Sequence, residues 1–484
     1  MTATTPPPAP PADLVARLRD QVFGAVLTPA DEGFDRAHRP YYGGFDDLRP
    51  AVVVRPSDAS DVATVVRVAA EAALPLAVRS GGHGLAGYGT VHDGIVLDLS
   101  SLDDLALDPT TRTAWTGAGV TTGRYTAAAD AHGLATGFGD APTVGIGGLT
   151  VGGGLGFLSR RDGLTIDSLL AAEVVTADGV VRTVDAEHEP DLFWGIRGGG
   201  GNLGVVTRLR FALHDVREVT GGLLVLPAAP DVLAGVVRVA TEAPDALSLM
   251  ANTMVAPPLP FLPPSLHGQL ITMLVVAHAG PRADAERDLT PLRALADPLV
   301  DELGPIPYSA LFEGGPPADA HPAAVTRTMY RSGFATGDAA AALDGLRRSS
   351  ADMAVVQLRP LGGAIARIAS DATAYAHREQ ALMVNVAAMT MDPAAIGEHT
   401  AWADALAADL HEPGNDGAYV NFLGDEGPDR VRAAYPGPTG DRLRALKRRY
   451  DPTNLFSRNQ NVPPDRAALH DGSPDRIAAR ADRP

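Results

Sequence analysis

Glycine constrains this chain more than any other residue, because its 52 copies are clustered. Three dense runs fall in the first 215 residues: "RSGGHGLAG" at 79–87, "VGIGGLTVGGGLG" at 144–156 and "RGGGGNLG" at 197–204. A residue without Cβ lets the backbone approach another backbone or a ligand closely. The clusters therefore read as main chain packed around something long. Beyond residue 215 they cease, and long strands such as "GGLLVLPA", "ALSLMANTMVA" and "QLITMLVVAHAG" alternate with Ala-rich helices. A domain boundary is placed there.

Around the first cluster the pattern is βαβ. Ala51–Val54 reads as a buried strand and Asp58 and Ser60 as N-caps. The helix that follows carries Val62, Val65, Val66, Ala69 and Ala73 on one face, and Pro75 precedes the strand "LAVR". "GIVLDLS" and "TAWTGAGV" read as further strands, about 122–131 as a helix, and the stretch through the second glycine cluster as a loop. "AAEVVTADGVVRTV" has the form of a hairpin turning at Asp178-Gly179. The proline-rich "APPLPFLPPSLHG" is expected to be a loop, "GAYVNFLGDEG" a strand and "TGDRLRALKRRYDP" a helix. Tyr125, Trp115 and Trp194 are read as core.

Gly82, Gly84 and Gly87 spell G-x-G-x-x-G, the dinucleotide fingerprint. That motif needs its third glycine to open a helix whose N-terminus binds the pyrophosphate. Here Gly87 is followed by "YGTVHDG" and then a strand, so the dinucleotide reading is poor. No cluster runs into Lys-Ser or Lys-Thr, so a P-loop is poorer still. Two readings remain: an anion-binding nest beside Arg79, or a structural turn with His83 in solvent. Three clusters in one domain favour the first, with a flat, polyphosphate-bearing cofactor lying along bare backbone.

With 40 basic and 58 acidic side chains the formal charge is -18, which argues against nucleic acid and anionic membranes as partners. No cysteine is present, which excludes disulfides, thiolate metal sites and a cysteine nucleophile. No H-E-x-x-H or other spaced ligand set occurs, so no metal is expected; His92 reads as a loop residue and His377 as orienting Arg378 or backbone. The chain has neither a leader pattern nor an apolar run of roughly 18 residues, and a cytoplasmic location is expected. No feature sets an oligomeric state.

Taken in order, "RSGGHGLAG", "PTVGIGGLTVGGGLGFLSRRDGLTIDSL", "DLFWGIRGGGGNLGVVT", "LGGAIARI", "YVNF" and "RYDPTNLFSRNQNVPP" span nearly the whole chain. The set resembles the covalent flavoproteins of the vanillyl-alcohol oxidase type, in particular the bacterial members of the berberine-bridge-enzyme-like branch. The resemblance implies an α+β fold: a split, two-subdomain PCMH-type FAD-binding domain, and a substrate domain with an antiparallel sheet backed by helices. The implied division is a disordered arm at 1–12, the FAD domain at 13–214, the substrate domain at 215–414, a segment at 415–462 returning to the FAD domain, and a disordered tail at 463–484.

The resemblance also implies FAD carried on His83, with Arg79, Ser80, Gly81, Gly82 and Gly84 along the pyrophosphate. Relatives with a second link carry a cysteine just before P-T-V-G; here Ala141 stands there, so a single link is expected. Val144, Gly145, Gly147, Gly148, Leu149, Gly152, Gly153 and Gly154 would cover the cofactor, together with Val206 and, from the C-terminal segment, Tyr419, Asn421 and Asn459. The implied reaction removes hydride from an alcohol or amine C–H, with O2 as reoxidant, and fits natural-product tailoring.

A general base must lie within hydrogen-bond reach of the proton it takes. Relatives use a glutamate or a tyrosine, but the matching positions here hold Asn385 and Phe422. Gln357 and Arg359 on a facing strand are the other pocket candidates, and an arginine can polarise but not accept a proton. Three readings stay open: another residue acts as base, no base is needed, or the enzyme is a flavin-dependent oxygenase. A flavin-binding protein whose catalytic side has decayed is the reading from another class.

Overall fold

The computed structural model describes residues 12–258, 262–313 and 321–465. The arm expected at 1–12 and the tail expected at 463–484 therefore lie almost wholly outside the described residues.

The N-terminal part holds two sheets. In the first, Val52–Arg55 and Leu76–Arg79 both pair in parallel with Ile95–Asp98, and Ala25–Leu27 closes one edge antiparallel. The two strands of the βαβ unit are thus separated by a third. Residues 80–94 connect parallel neighbours with no helix among them. Asp58 caps the helix Ala59–Glu71, accepting from Ser60 N and Asp61 N at 2.8 and 3.0 Å. Ser60 lies inside that helix, and Ala73 lies beyond its end, exposed at φ 50°. The second sheet is antiparallel and five-stranded, and includes the expected hairpin, Leu169–Val175 with Val181–Asp185. Tyr125, Phe138 and Phe211 pack edge to face behind it, with centroids 4.8 to 6.1 Å apart. Trp194 is buried in the same core, whereas Trp115 is half exposed beneath Arg208.

Residues 219–390 build one eight-stranded antiparallel sheet. Its alternation is strict in the central strands. Ala354, Val356 and Leu358, with Val384, Val386 and Ala388 beside them, face helices Pro230–Glu242, Thr336–Arg347 and Ile396–Leu410. Met353, Val355, Gln357 and Arg359, with Asn385, Ala387 and Met389, face the other way. Successive strand residues point to opposite faces, so one apolar series makes a core while the other is free to line a site.

Two buried arginines join the sheet to the glycine-rich part. Arg160 donates to the carbonyls of Leu247 (2.9 Å), Ala243 (2.7 Å) and Leu361. Arg378, fully buried, makes a two-point ion pair with Asp167 at 2.8 and 3.0 Å.

Two further local expectations fail. The second glycine cluster is not all loop: Ile146–Val151 and Ser159–Asp162 are short helices. "GAYVNFLGDEG" is not a strand but a 3-10 turn at Val420–Phe422. There Phe422 N bonds Tyr419 O at 2.9 Å, and Asn421 Nδ2 reaches Leu149 O at 3.0 Å. The segment is held by side chains and not by a strand ladder: Asn421 reaches the glycine-rich wall, Phe422 O accepts from Thr326 Oγ1 of the sheet's edge strand at 2.7 Å, and Leu423 O and Gly424 O accept from Gln460 Nε2.

Candidate active site

A cavity of about 840 Å³ lies between the glycine clusters and the bare face of the long sheet. Its first wall begins where the strand Leu76–Arg79 ends. Gly82 turns there with φ 74°. Gly81 and Gly145 bring two backbones together: a Cβ on Gly81 would lie 2.2 Å from Gly145 N, and one on Gly145 would lie 2.1 Å from Ser80 Oγ. The Ser80 hydroxyl donates to Ala118 O at 2.6 Å, and Arg79 Nη1 to Ala37 O at 2.5 Å. These two polar groups, expected along a pyrophosphate, are thus largely engaged in holding the loop.

His83 faces the cavity. Its Nε2 is 3.0 Å from Thr143 Oγ1. The Tyr41 ring stacks on the imidazole at 4.2 Å and 18°, and Tyr42 meets it edge-on at 6.4 Å. Burial, and secondarily the Arg79 charge, pull the imidazole pKa down to about 4. His83 is therefore neutral at physiological pH, with a lone pair on one ring nitrogen. Desolvation raises the Tyr42 phenol well above its ordinary value, with the neighbouring Tyr41 and Asp140 adding to the shift.

The wall calls for a long, polar occupant. Gly84 and Gly148 line it, have no positive φ, and would carry a Cβ into space with no atom within 4 Å. Neither backbone geometry nor packing requires glycine there, which leaves room for a ligand as the physical reason. Arg79 Nε, Arg458 Nε and Asn459 Oδ1 are buried on residues of this wall without a hydrogen-bond partner among the described residues. Buried polar groups are normally paired, and three such atoms along one wall fit a cofactor rich in donors and acceptors.

Val144, Gly145, Gly147, Leu149, Val206, Tyr419, Asn421 and Asn459 also line the cavity. Gly152, Gly153 and Gly154 do not; they pack behind the wall, where a Cβ would run into Asn421, Tyr375 and Thr165 respectively. Gly154 N instead donates to Tyr419 Oη at 3.0 Å, anchoring the C-terminal segment.

The opposite wall is the sheet. Its register sets Asn252, Gln357 and Asn385 side by side on neighbouring strands. Gln357 Nε2 donates to Asn252 Oδ1 at 2.9 Å, and Arg359 Nε donates to Gln357 Oε1 at 2.7 Å. Arg359 Nη2 then donates to Asp140 Oδ2, while the guanidinium lies 5.3 Å over the Phe422 ring. Asp140 Oδ1 has no partner among the described residues, and the side chain is partly open to the cavity. Met250, Met254, Met353 and Met389, with Val355 and Ala387, give the sheet wall its apolar area.

The structure thus gathers Gln357, Arg359 and Asn385 on one wall, and sets beside Arg359 the Asp140 carboxylate, which sequence reading missed. Asp140 sits directly before Ala141 in the glycine-rich stretch, and its importance depends on an arginine more than two hundred residues away. Tyr41, Tyr42, Thr143 and Asn252 were missed for the same reason. Strand parity with Gln357 was the available clue to Asn252.

Comparisons with known proteins give the chain's relatives. A family described as "FAD binding domain" matches residues 50–185, and one described as "Berberine and berberine like" matches residues 418–463. The chain is 30% identical over 454 residues to (R)-6-hydroxynicotine oxidase of Paenarthrobacter nicotinovorans, covering 92% of this chain and 97% of the relative. The crystal structure of 6-hydroxy-D-nicotine oxidase from Arthrobacter nicotinovorans superimposes with a TM-score of 0.81 at 27% identity, over 92% of this chain and 98% of that one. A variant of berberine bridge enzyme has the same fold, with a TM-score of 0.82 at 22% identity, over 93% and 99% of the two chains. Among the described residues no helix is long and apolar enough to cross a membrane.

Proposed function

Because the chain belongs to the berberine-bridge-enzyme-like FAD-linked oxidoreductases, we propose that it carries FAD on a single bond to His83 and oxidises a small alcohol or amine, using O2. This reading rests on His83, neutral and facing a cavity whose glycines and unpartnered polar atoms suit FAD. Bound FAD supplies a two-electron acceptor for the hydrogen of a substrate C–H bond and returns the electrons to O2 as H2O2.

The chain's own residues supply the rest. Asp140 Oδ1 takes the proton of the substrate O–H or N–H, since Asp140 is the carboxylate on the inner wall; Asp352, the other lining carboxylate, is exposed and binds Met391 N and Thr390 Oγ1. Arg359 holds Asp140 at Oδ2, and Gln357 in turn holds Arg359. Asn385 offers its unpartnered Oδ1 to the substrate. The methionine-covered area excludes water and adapts to substrate shape.

Acid precipitation tests the attachment: yellow colour should stay in the wild-type pellet and pass wholly to the supernatant for His83→Ala. Covalent flavin in that variant would contradict the single link. Gly148→Leu should fold normally yet lose FAD occupancy, because its side chain enters open cavity space; undiminished occupancy would show that FAD lies elsewhere. Activity is found by anaerobic bleaching with a panel of alcohols and amines, starting from (R)-6-hydroxynicotine, the compound in the relative's name.

A further inference from the structure

The imidazole of His83 is held more closely than a tether requires. One ring nitrogen, Nε2, meets Thr143 Oγ1 at 3.0 Å, whereas Nδ1 has no partner among the described residues. Tyr41 lies flat on one face, with ring centroids 4.2 Å apart, and fixes the ring's tilt. Tyr42 stands against it at 87°, limiting rotation. Thr143 belongs to the second glycine-rich stretch, and the Tyr41 backbone N–H donates to Gly82 O at 3.0 Å. Two separate segments therefore converge on the ring from outside its own loop.

We propose that Thr143 and Tyr41 are positioning residues for cofactor attachment: Thr143 holds His83 as the Nε2–H tautomer, so that Nδ1 carries the lone pair that bonds to FAD. This rests on the attachment reading above. A neutral imidazole has one N–H and one lone pair, so with Nε2–H donated to the Thr143 hydroxyl the lone pair is on Nδ1. In the overall step one C–H of the 8α methyl and the imidazole N–H are given up and one C–N bond forms. The two electrons and two protons pass to O2, which leaves as H2O2. The Thr143 hydroxyl accepts from Nε2–H before bonding and, once that proton has gone, donates to the same nitrogen. Serine can make that exchange; valine, of the same shape, cannot.

The test reads covalent FAD directly. Full-length wild type, Thr143→Val, Thr143→Ser and Tyr41→Leu are incubated with added FAD, and flavin fluorescence in the denatured protein band is followed over time. Thr143→Val should incorporate FAD about tenfold more slowly, the effect of losing one hydrogen bond to a reacting group. It should still bind FAD non-covalently and melt at the wild-type temperature. Thr143→Ser should match wild type, and Tyr41→Leu should be slowed. Incorporation by Thr143→Val at the wild-type rate overturns the positioning role while leaving attachment intact. A wild-type protein that releases all its FAD in acid removes the attachment reading itself, and this inference with it.

Discussion

Replacing Asp140 by asparagine should slow anaerobic flavin reduction by about 10²- to 10⁴-fold, the range contributed by a positioned general base. The amide keeps the side chain's size but cannot accept a proton at neutral pH. The measurement is stopped-flow bleaching, with whichever alcohol or amine of the panel reduces the wild type. One readout separates chemistry from folding: the covalent FAD content should not change. Arg359→Lys should fall in between. Arg359 uses Nε for Gln357 and Nη2 for Asp140, and one ammonium cannot reproduce that fork. Asp140→Asn reducing at the wild-type rate would return the enzyme to a mechanism without a protein base.

The largest loss of stability should come from Lys447→Met, far from the chemistry. Lys447 is fully buried and donates to Asn202 O at 2.9 Å, Phe456 O at 2.8 Å and Asp451 Oδ2 at 2.7 Å. Burial pulls its pKa down, and Asp451 opposes the shift. Asp451 also accepts from Leu455 N at 2.8 Å and Phe456 N at 2.9 Å, folding the C-terminal segment back on the glycine-rich part. Removing the ammonium leaves a buried carboxylate uncompensated, at a cost of about 3–5 kcal/mol. Urea denaturation of the FAD-loaded protein should show this as a lower midpoint with an unchanged slope. The same segment carries Arg458 and Asn459 to the cavity, so non-covalent FAD should also dissociate faster in a His83→Ala background. Lys447→Met combined with Asp451→Asn should recover part of the loss; a double variant as unstable as the sum of the singles would deny the coupling.

Much of the fold was legible because its cues are local. The Asp58 cap, the Asp178-Gly179 hairpin and the Val- and Leu-rich strands each depend on residues a few positions apart, and the structure has all of them. The failures depend on distant partners. "GAYVNF" has strand composition, yet Asn421 and Tyr419 are committed to the glycine-rich wall. Gly152, Gly153 and Gly154 look like cavity glycines in sequence, but their absent side chains make room for Asn421, Tyr375 and Thr165.

The sequence alone determined that His83 stands in a glycine-rich turn without a dinucleotide helix and that no cysteine is present; that Asn385 and Phe422 stand at the base positions of relatives is what the resemblance implies. The first two are matters of residue identity and local spacing. Tertiary structure alone decided which groups meet. Strand register put Asn252, Gln357 and Asn385 in one row, the closure of the sheet over the glycine clusters brought Arg359 to Asp140, and the close approach of two glycine-rich loops brought Thr143 to His83. Hydrogen bonds and ion pairs act over a few ångströms, so their partners are set by how the two parts pack and cannot be read from either stretch by itself.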